Sequence, residues 1–130
     1  MAGQAVGYEV KTEKGNEYQT KTLIVASGGR RRRLNIPGED KFNGKGVSYC
    51  STSDAPLFKD KEVAVVGGGN AGLEAAIDLV PNASKIYIIN RSPELSGDPL
   101  SQEEIKKLSK VAIINTAETQ EVLGNQFVTA

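Results

Sequence analysis

Glu62-Val63-Ala64-Val65-Val66-Gly67-Gly68-Gly69-Asn70-Ala71-Gly72 is the stretch that decides the fold. Val63 to Val66 are small or β-branched, as in a buried strand. The glycines follow at once. From about Ala71 the apolar residues recur at helical spacing, with Leu73, Ala76, Ile77 and Val80 on one face. Pro81-Asn82 stops that helix, and Lys85-Ile86-Tyr87-Ile88-Ile89 reads as the next strand. Strand, helix and strand in this order form a βαβ unit, whose strands pair in parallel.

The context gives the glycine pattern Gly67-x-Gly69-x-x-Gly72 its chemistry. Gly67 permits the tight turn. Gly69 lets a diphosphate approach the backbone, and Gly72 lets the helix pack close to the strand. The unpaired N–H groups of the helix and its dipole then face the phosphates. Gly68, Asn70 and Ala71 belong to the same cradle. A bare strand–helix turn is the alternative, but three glycines would then weaken the helix start by ~1 kcal/mol each for nothing.

The second strand ends Ile89-Asn90-Arg91-Ser92. A ribose 2′-hydroxyl is usually held there by an acid, and a 2′-phosphate by arginine. No acid stands there, and Arg91 can pair with a phosphate. An ordinary solvated charge is the other reading of Arg91. Asn90, Arg91 and Ser92 are the candidate ribose-end residues.

Further out, Ser101-x-x-Glu104 has the form of a capping box opening another helix, with Glu103 four residues before Lys107. Val111 to Ile114 is a third strand, and Val122, Gly124-Asn125 and Phe127-Val128 suggest a closing hairpin. Upstream, Tyr8 to Lys21 reads as a small antiparallel hairpin turning at Lys14-Gly15-Asn16. Leu23-Ile24-Val25-Ala26 reads as a buried strand. Arg30 to Arg33 and Ile36-Pro37-Gly38-Glu39-Asp40 read as a hinge, since proline, glycine and unbroken charge offer no core face. The arginines are read as solvated, with steering of an anionic ligand as the alternative.

The 130 residues suit one domain of ordinary size, and 38% hydrophobic residues can build a core. Sixteen basic residues balance sixteen acidic ones, which gives no reason to expect nucleic acid or an anionic membrane as partner. No apolar run approaches the ~20 residues of a span, and the first residues lack a secretory pattern. One cysteine, Cys50, excludes an internal disulfide and favours the cytoplasm. No metal site is expected.

Gly46-Val47-Ser48-Tyr49-Cys50-Ser51-Thr52-Ser53-Asp54-Ala55-Pro56-Leu57-Phe58, followed by Lys61-Glu62-Val63-Ala64-Val65 and the glycine turn, resembles the thioredoxin reductases and the flavoprotein subunit of alkyl hydroperoxide reductase. In that family a strand leads to Cys-x-x-Cys-Asp, then to a Lys-x-Val-Ala-Val strand and a Gly-Gly-Gly-Asn turn. Ala26-Ser27-Gly28 and Ile36-Pro37-Gly38-Glu39 resemble the hinge between the family's flavin and nicotinamide domains. The resemblance spans nearly the whole chain.

The resemblance implies a Rossmann-like α/β domain with a parallel central sheet, plus a hairpin and part of the flavin-domain edge at the N-terminus. Residues 1–29 would be a remnant of the FAD domain, 30–40 the hinge and 41–130 the NAD(P)H-binding domain. NADPH or NADH would reduce FAD, the reduced flavin would reduce the Cys-x-x-Cys disulfide, and the resulting dithiol would reduce a thioredoxin-like or peroxiredoxin-type disulfide. The full-length enzyme would be a homodimer. Cys50 matches the outer cysteine, which attacks the partner, and Asp54 matches the proton-handling acid. The segments that hold FAD would lie outside this chain, so these residues alone are expected to bind no flavin and to be inactive.

Two departures stand out. The flavin-side cysteine is replaced by Ser53, whose hydroxyl can neither form a disulfide nor resolve one. Cys50 could still attack a partner, if its pKa is low enough, or be an inert small residue. Many NADPH-using members also carry two adjacent arginines and a third shortly after, where this chain has Arg91-Ser92-Pro93-Glu94-Leu95-Ser96. NADH use is therefore open. Two alternatives compete with a disulfide reductase: a cysteine-independent flavoprotein like the thioredoxin-reductase-like ferredoxin–NADP reductases, and a non-catalytic dinucleotide-binding module.

Overall fold

A computed structural model describes residues 7–130, so residues 1–6 of the expected 1–29 segment lie outside the described residues. The chain divides into two compact units, Met1–Arg32 and Arg33–Ala130.

In the first unit, β1 (Tyr8–Lys11) and β2 (Glu17–Thr20) pair antiparallel, Tyr8 opposite Thr20 and Lys11 opposite Glu17. Gly15, at φ +82°, makes the turn, and the Gly15 N–H donates to the Thr12 carbonyl at 2.9 Å. The expected strand Leu23–Ala26 does not form. Ile24 is 90% exposed and Val25 76%, and no strand among the described residues pairs with this run. An apolar segment without a neighbour has nowhere to send its backbone hydrogen bonds except water.

The second unit holds a three-stranded parallel sheet in the order β3 (Glu62–Val66), β4 (Lys85–Asn90), β5 (Val111–Asn115). Val65 pairs with Ile88, and Ile88 with Ile113. The crossovers are α2 (Asn70–Leu79) and α3 (Pro99–Lys107). Alternate strand residues Val65, Ile86 and Ile88 point into a core with Leu73, Ala76 and Leu79 of α2 and Ile105 of α3. Lys110 Nζ donates to the carbonyls of Val80 (3.1 Å) and Ala83 (3.0 Å), closing the end of α2 with a cation.

Two local expectations are corrected. The cap of α3 is Asp98, not Ser101: Asp98 Oδ2 accepts from the N–H groups of Leu100 (3.0 Å) and Ser101 (3.2 Å). Pro99 at the first helical position starts the helix before Ser101 is reached. The closing hairpin reduces to a single antiparallel bridge between Gly124 and Val128. Residues 33–40, read as part of the hinge, pack within the second unit. Glu39 is 3% exposed there, and any side chain at Gly38 would collide with the Val122 carbonyl.

Candidate functional site

The four glycine positions of the β3–α2 turn do different things. Gly67 has φ +120°, and its N–H still extends the sheet, donating to Ile89 O at 2.9 Å. Gly72 backs directly onto the Gly67 carbonyl oxygen, so a Cβ there has no room. A Cβ on Gly68 would lie 2.6 Å from Asn90 Oδ1 and 2.8 Å from Leu95 Cδ2. Gly69 is different. Its backbone (φ −89°, ψ −179°) suits any residue, and a Cβ there would meet only Ser96 Oγ, at 3.8 Å. Backbone geometry or packing requires glycine at the other three positions but not at 69, where the missing side chain leaves the backbone open.

Gly69 is also the N-cap of α2, and no side chain caps that helix end. The contrast with α3, closed by Asp98, is direct. The first N–H groups of a helix have no i−4 carbonyl to bond and form a ready anion site; here the Gly72 N–H bonds the Gly69 carbonyl at 3.0 Å. The groove is fixed by the following loop. Gly68 O accepts from the N–H groups of Ser96 (2.9 Å) and Gly97 (3.1 Å), and Asn70 Oδ1 accepts from the Asp98 N–H (2.6 Å). An uncapped helix start with an open glycine beside it fits the diphosphate of a dinucleotide.

At the end of β4, Arg91 and Ser92 are exposed and Asn90 is buried. Asn90 Nδ2 donates to Ser92 O (3.0 Å), Glu94 O (2.9 Å) and Asn115 Oδ1 (2.9 Å). Sequence reasoning missed Asn115. Its signal was there: β4 and β5 both end Ile-Ile-Asn, and the parallel register sets Asn90 beside Asn115.

The cysteine lies in a second cluster. The residues before it form no strand, only a bridge between Asn43 and Val47. Half-buried Cys50 is the N-cap of α1 (Ser51–Asp54), a single turn that runs on into a 3₁₀ turn, Ala55–Phe58. The carboxylate of Asp54 accepts from both neighbouring hydroxyls, Ser48 Oγ at 2.5 Å and Ser53 Oγ at 2.7 Å. The Cys50 N–H donates to Ser48 Oγ at 3.2 Å. Ser51 Oγ donates to Asp78 Oδ2 at 2.8 Å. That bond fastens the cysteine turn to the end of α2 opposite the glycines, so Cys50, Ser53 and Asp54 form one cluster and the glycine turn with residues 90–92 another.

Glu39, also missed, supports the cysteine segment. Its carboxylate accepts from the N–H groups of Leu34 (3.0 Å) and Asn35 (2.7 Å) and from the Tyr49 hydroxyl (2.7 Å). The Leu34 N–H, followed by Tyr49, holds the Glu39 carboxyl below its usual range, while the same bond to Glu39 raises the Tyr49 phenol. Among the described residues, no group of three or more His, Cys, Asp or Glu could hold a metal ion, and no helix is long and apolar enough to cross a membrane.

A βαβαβ layer with a glycine turn at the first crossover defines a dinucleotide-binding class of fold. Residues 2–129 match the family described as pyridine nucleotide-disulphide oxidoreductase. The chain belongs to that family. It is 44% identical over 117 residues to a subunit of the alkyl hydroperoxide reductase of Xanthomonas campestris pv. phaseoli, covering 90% of this chain and 22% of that protein. It is 42% identical over 121 residues to a Bacillus subtilis NADH dehydrogenase, covering 93% of this chain and 24% of that protein. Among solved structures, Lactococcus lactis thioredoxin reductase superposes with a TM-score of 0.77 at 31% identity, over 94% of this chain and 40% of that one. Thioredoxin reductase from T. acidophilum gives 0.76 at 35% identity, over 95% and 40%. The chain thus spans about a quarter of the length of these curated relatives.

Proposed function

We propose that residues 41–130 are the NAD(P)H-binding part of an FAD-dependent disulfide reductase of the thioredoxin reductase and alkyl hydroperoxide reductase type. Residues 1–29 then derive from its flavin domain, and of the expected hinge at 30–40 only residues 30–32 remain outside the second unit. The observation that carries this reading is the glycine that packing does not demand, Gly69, at a helix start that no side chain caps. The α2 amides bind the diphosphate, with Gly68, Asn70, Ala71 and Gly72 shaping the cradle. Arg91 and Ser92 face the ribose, where one arginine and no acid leave both NADPH and NADH admissible. When bound, the cofactors supply hydride transfer and two-electron relay.

Cys50 is the residue that meets a partner disulfide. Its thiolate would bond one partner sulfur and release the other as a thiolate. Ser53 cannot resolve that mixed disulfide, so this chain stalls there. Asp54, bonded to Ser48 and Ser53, stands beside the exchange as its proton-handling group. The fitting partners are thioredoxin-like or peroxiredoxin-type disulfides, met in the cytoplasm by a homodimeric whole protein. Ser53 also favours a second reading, a flavoprotein that passes electrons without a cysteine pair.

The test is titration of the intact protein with NADH and with NADPH. Saturable binding of at least one is expected, and binding of neither would refute the reading. Ser53→Cys in the flavin-loaded protein separates the two enzymes. Gained reduction of a thioredoxin-type disulfide supports the first, and no gain supports the second.

A further inference from the structure

An amide 4% exposed, with three acceptors crowded on one atom, is already committed. The two backbone carbonyls on Nδ2 fix its orientation, since reversing the amide would set oxygen against oxygen. Asn90 therefore offers a ribose little. What it does instead is visible in its contacts. Nδ2 draws in the carbonyls of Ser92 and Glu94. Oδ1 occupies the space a side chain at Gly68 would need. Asn115 braces the amide from β5, and two backbone bonds reinforce the brace: Thr116 N–H to Ser92 O (3.2 Å) and Ala117 N–H to Asn90 O (3.1 Å). With its carbonyls turned inward, the loop is left with Arg91 and Ser92 exposed.

We infer that Asn90, braced by Asn115, is a positioning residue that holds the 91–95 loop at a set distance from the glycine turn, so that Arg91 and Ser92, not Asn90, meet the adenosine ribose of the dinucleotide. The ribose clause rests on the proposed nucleotide site, whereas the loop clause stands on its own geometry. Both halves of the adenosine diphosphate must be met at once, so a loosened loop costs affinity for NADH and NADPH alike.

The experiment compares Asn90→Asp, Asn115→Ala and Asn115→Asp in the intact protein. Trypsin cleavage after Arg91 reads the loop, and separate NADH and NADPH titrations read the site. Asn90→Asp loses both N–H donors, and the expected outcome is faster cleavage with about tenfold weaker binding of both dinucleotides. Asn115→Ala, at an exposed position, should move both readouts the same way by about threefold. Asn115→Asp keeps an acceptor for Nδ2 and should behave as the parent. In turnover, KM for the dinucleotide rises and kcat is retained. Tighter NADH binding by Asn90→Asp would show a direct ribose contact and overturn the inference, as would unchanged cleavage in both Asn90→Asp and Asn115→Ala. A parent that binds neither dinucleotide, yet shows the cleavage pattern, would sink the proposed function and leave the loop's anchoring in place.

Discussion

The Tyr49 hydroxyl donates to Glu39 at 2.7 Å, and this bond ties the residue before Cys50 to the start of the second unit. Sequence pattern puts Glu39 in a solvated hinge, yet its carboxylate collects three hydrogen bonds. The Leu34 N–H, then the Tyr49 hydroxyl, favour its ionised form in the folded protein and depress its pKa. A depressed folded pKa stabilises the fold above the unfolded value and loses that stabilisation as pH falls through the folded value. Glu39→Gln should therefore be about 2 kcal/mol less stable than the parent at neutral pH, with the gap closing on acidification. Urea denaturation from neutral to acidic pH measures this, and a pH-independent gap would contradict it.

The glycine turn separates folding from binding. Gly72→Ala sets a methyl group against the Gly67 carbonyl and should cost about 1–3 kcal/mol. Gly69→Ala meets nothing closer than Ser96 Oγ at 3.8 Å, so stability should stay within about 0.5 kcal/mol. On the proposed dinucleotide site its methyl group would stand where the diphosphate binds, and dinucleotide affinity should fall at least about tenfold. Melting curves and titrations on the two variants read these effects independently.

Capping gives a sharp local comparison. Asp98→Ala leaves the Leu100 and Ser101 N–H groups without their acceptor and should cost about 1 kcal/mol. Ser101→Ala, inside the helix, should change stability by less than about 0.5 kcal/mol. Equal effects in thermal denaturation would return the cap to Ser101.

Two helical leucines mark where the core lies. Leu73 is fully buried between α2 and the sheet, and Leu73→Ala should cost about 2–5 kcal/mol. Leu100 is 75% exposed, and Leu100→Ala should stay within about 0.5 kcal/mol. Chemical denaturation of both variants checks the assignment.

The sheet and its first crossover are legible in the sequence because their signals are local and redundant. Val63–Val66 and Ile86–Ile89 are runs rich in β-branched residues, and Leu73 and Ala76 recur at helical spacing. Helix α2 spans Asn70–Leu79, one residue earlier than its periodicity suggests, because Gly69 serves as the cap. The run Leu23–Ala26 misleads for the opposite reason. Its composition is that of a strand, but a strand exists only where another strand completes its ladder. The box at Ser101 misleads because Asp98-Pro99 makes a stronger start three residues earlier.

The sequence alone determined the α/β class, the parallel βαβ unit and the position of the glycine turn, because backbone preference and hydrophobic period act over a few neighbouring residues. Only the tertiary structure decided that Asn90 is spent inside on Asn115 and its own loop, that Glu39 is buried beneath Tyr49, and that Gly69 has room for a side chain where Gly68 and Gly72 have none. Each of these depends on atoms brought together from separate positions in the chain. Hydrogen bonding and steric exclusion act on distance in space, and a one-dimensional pattern does not carry that distance.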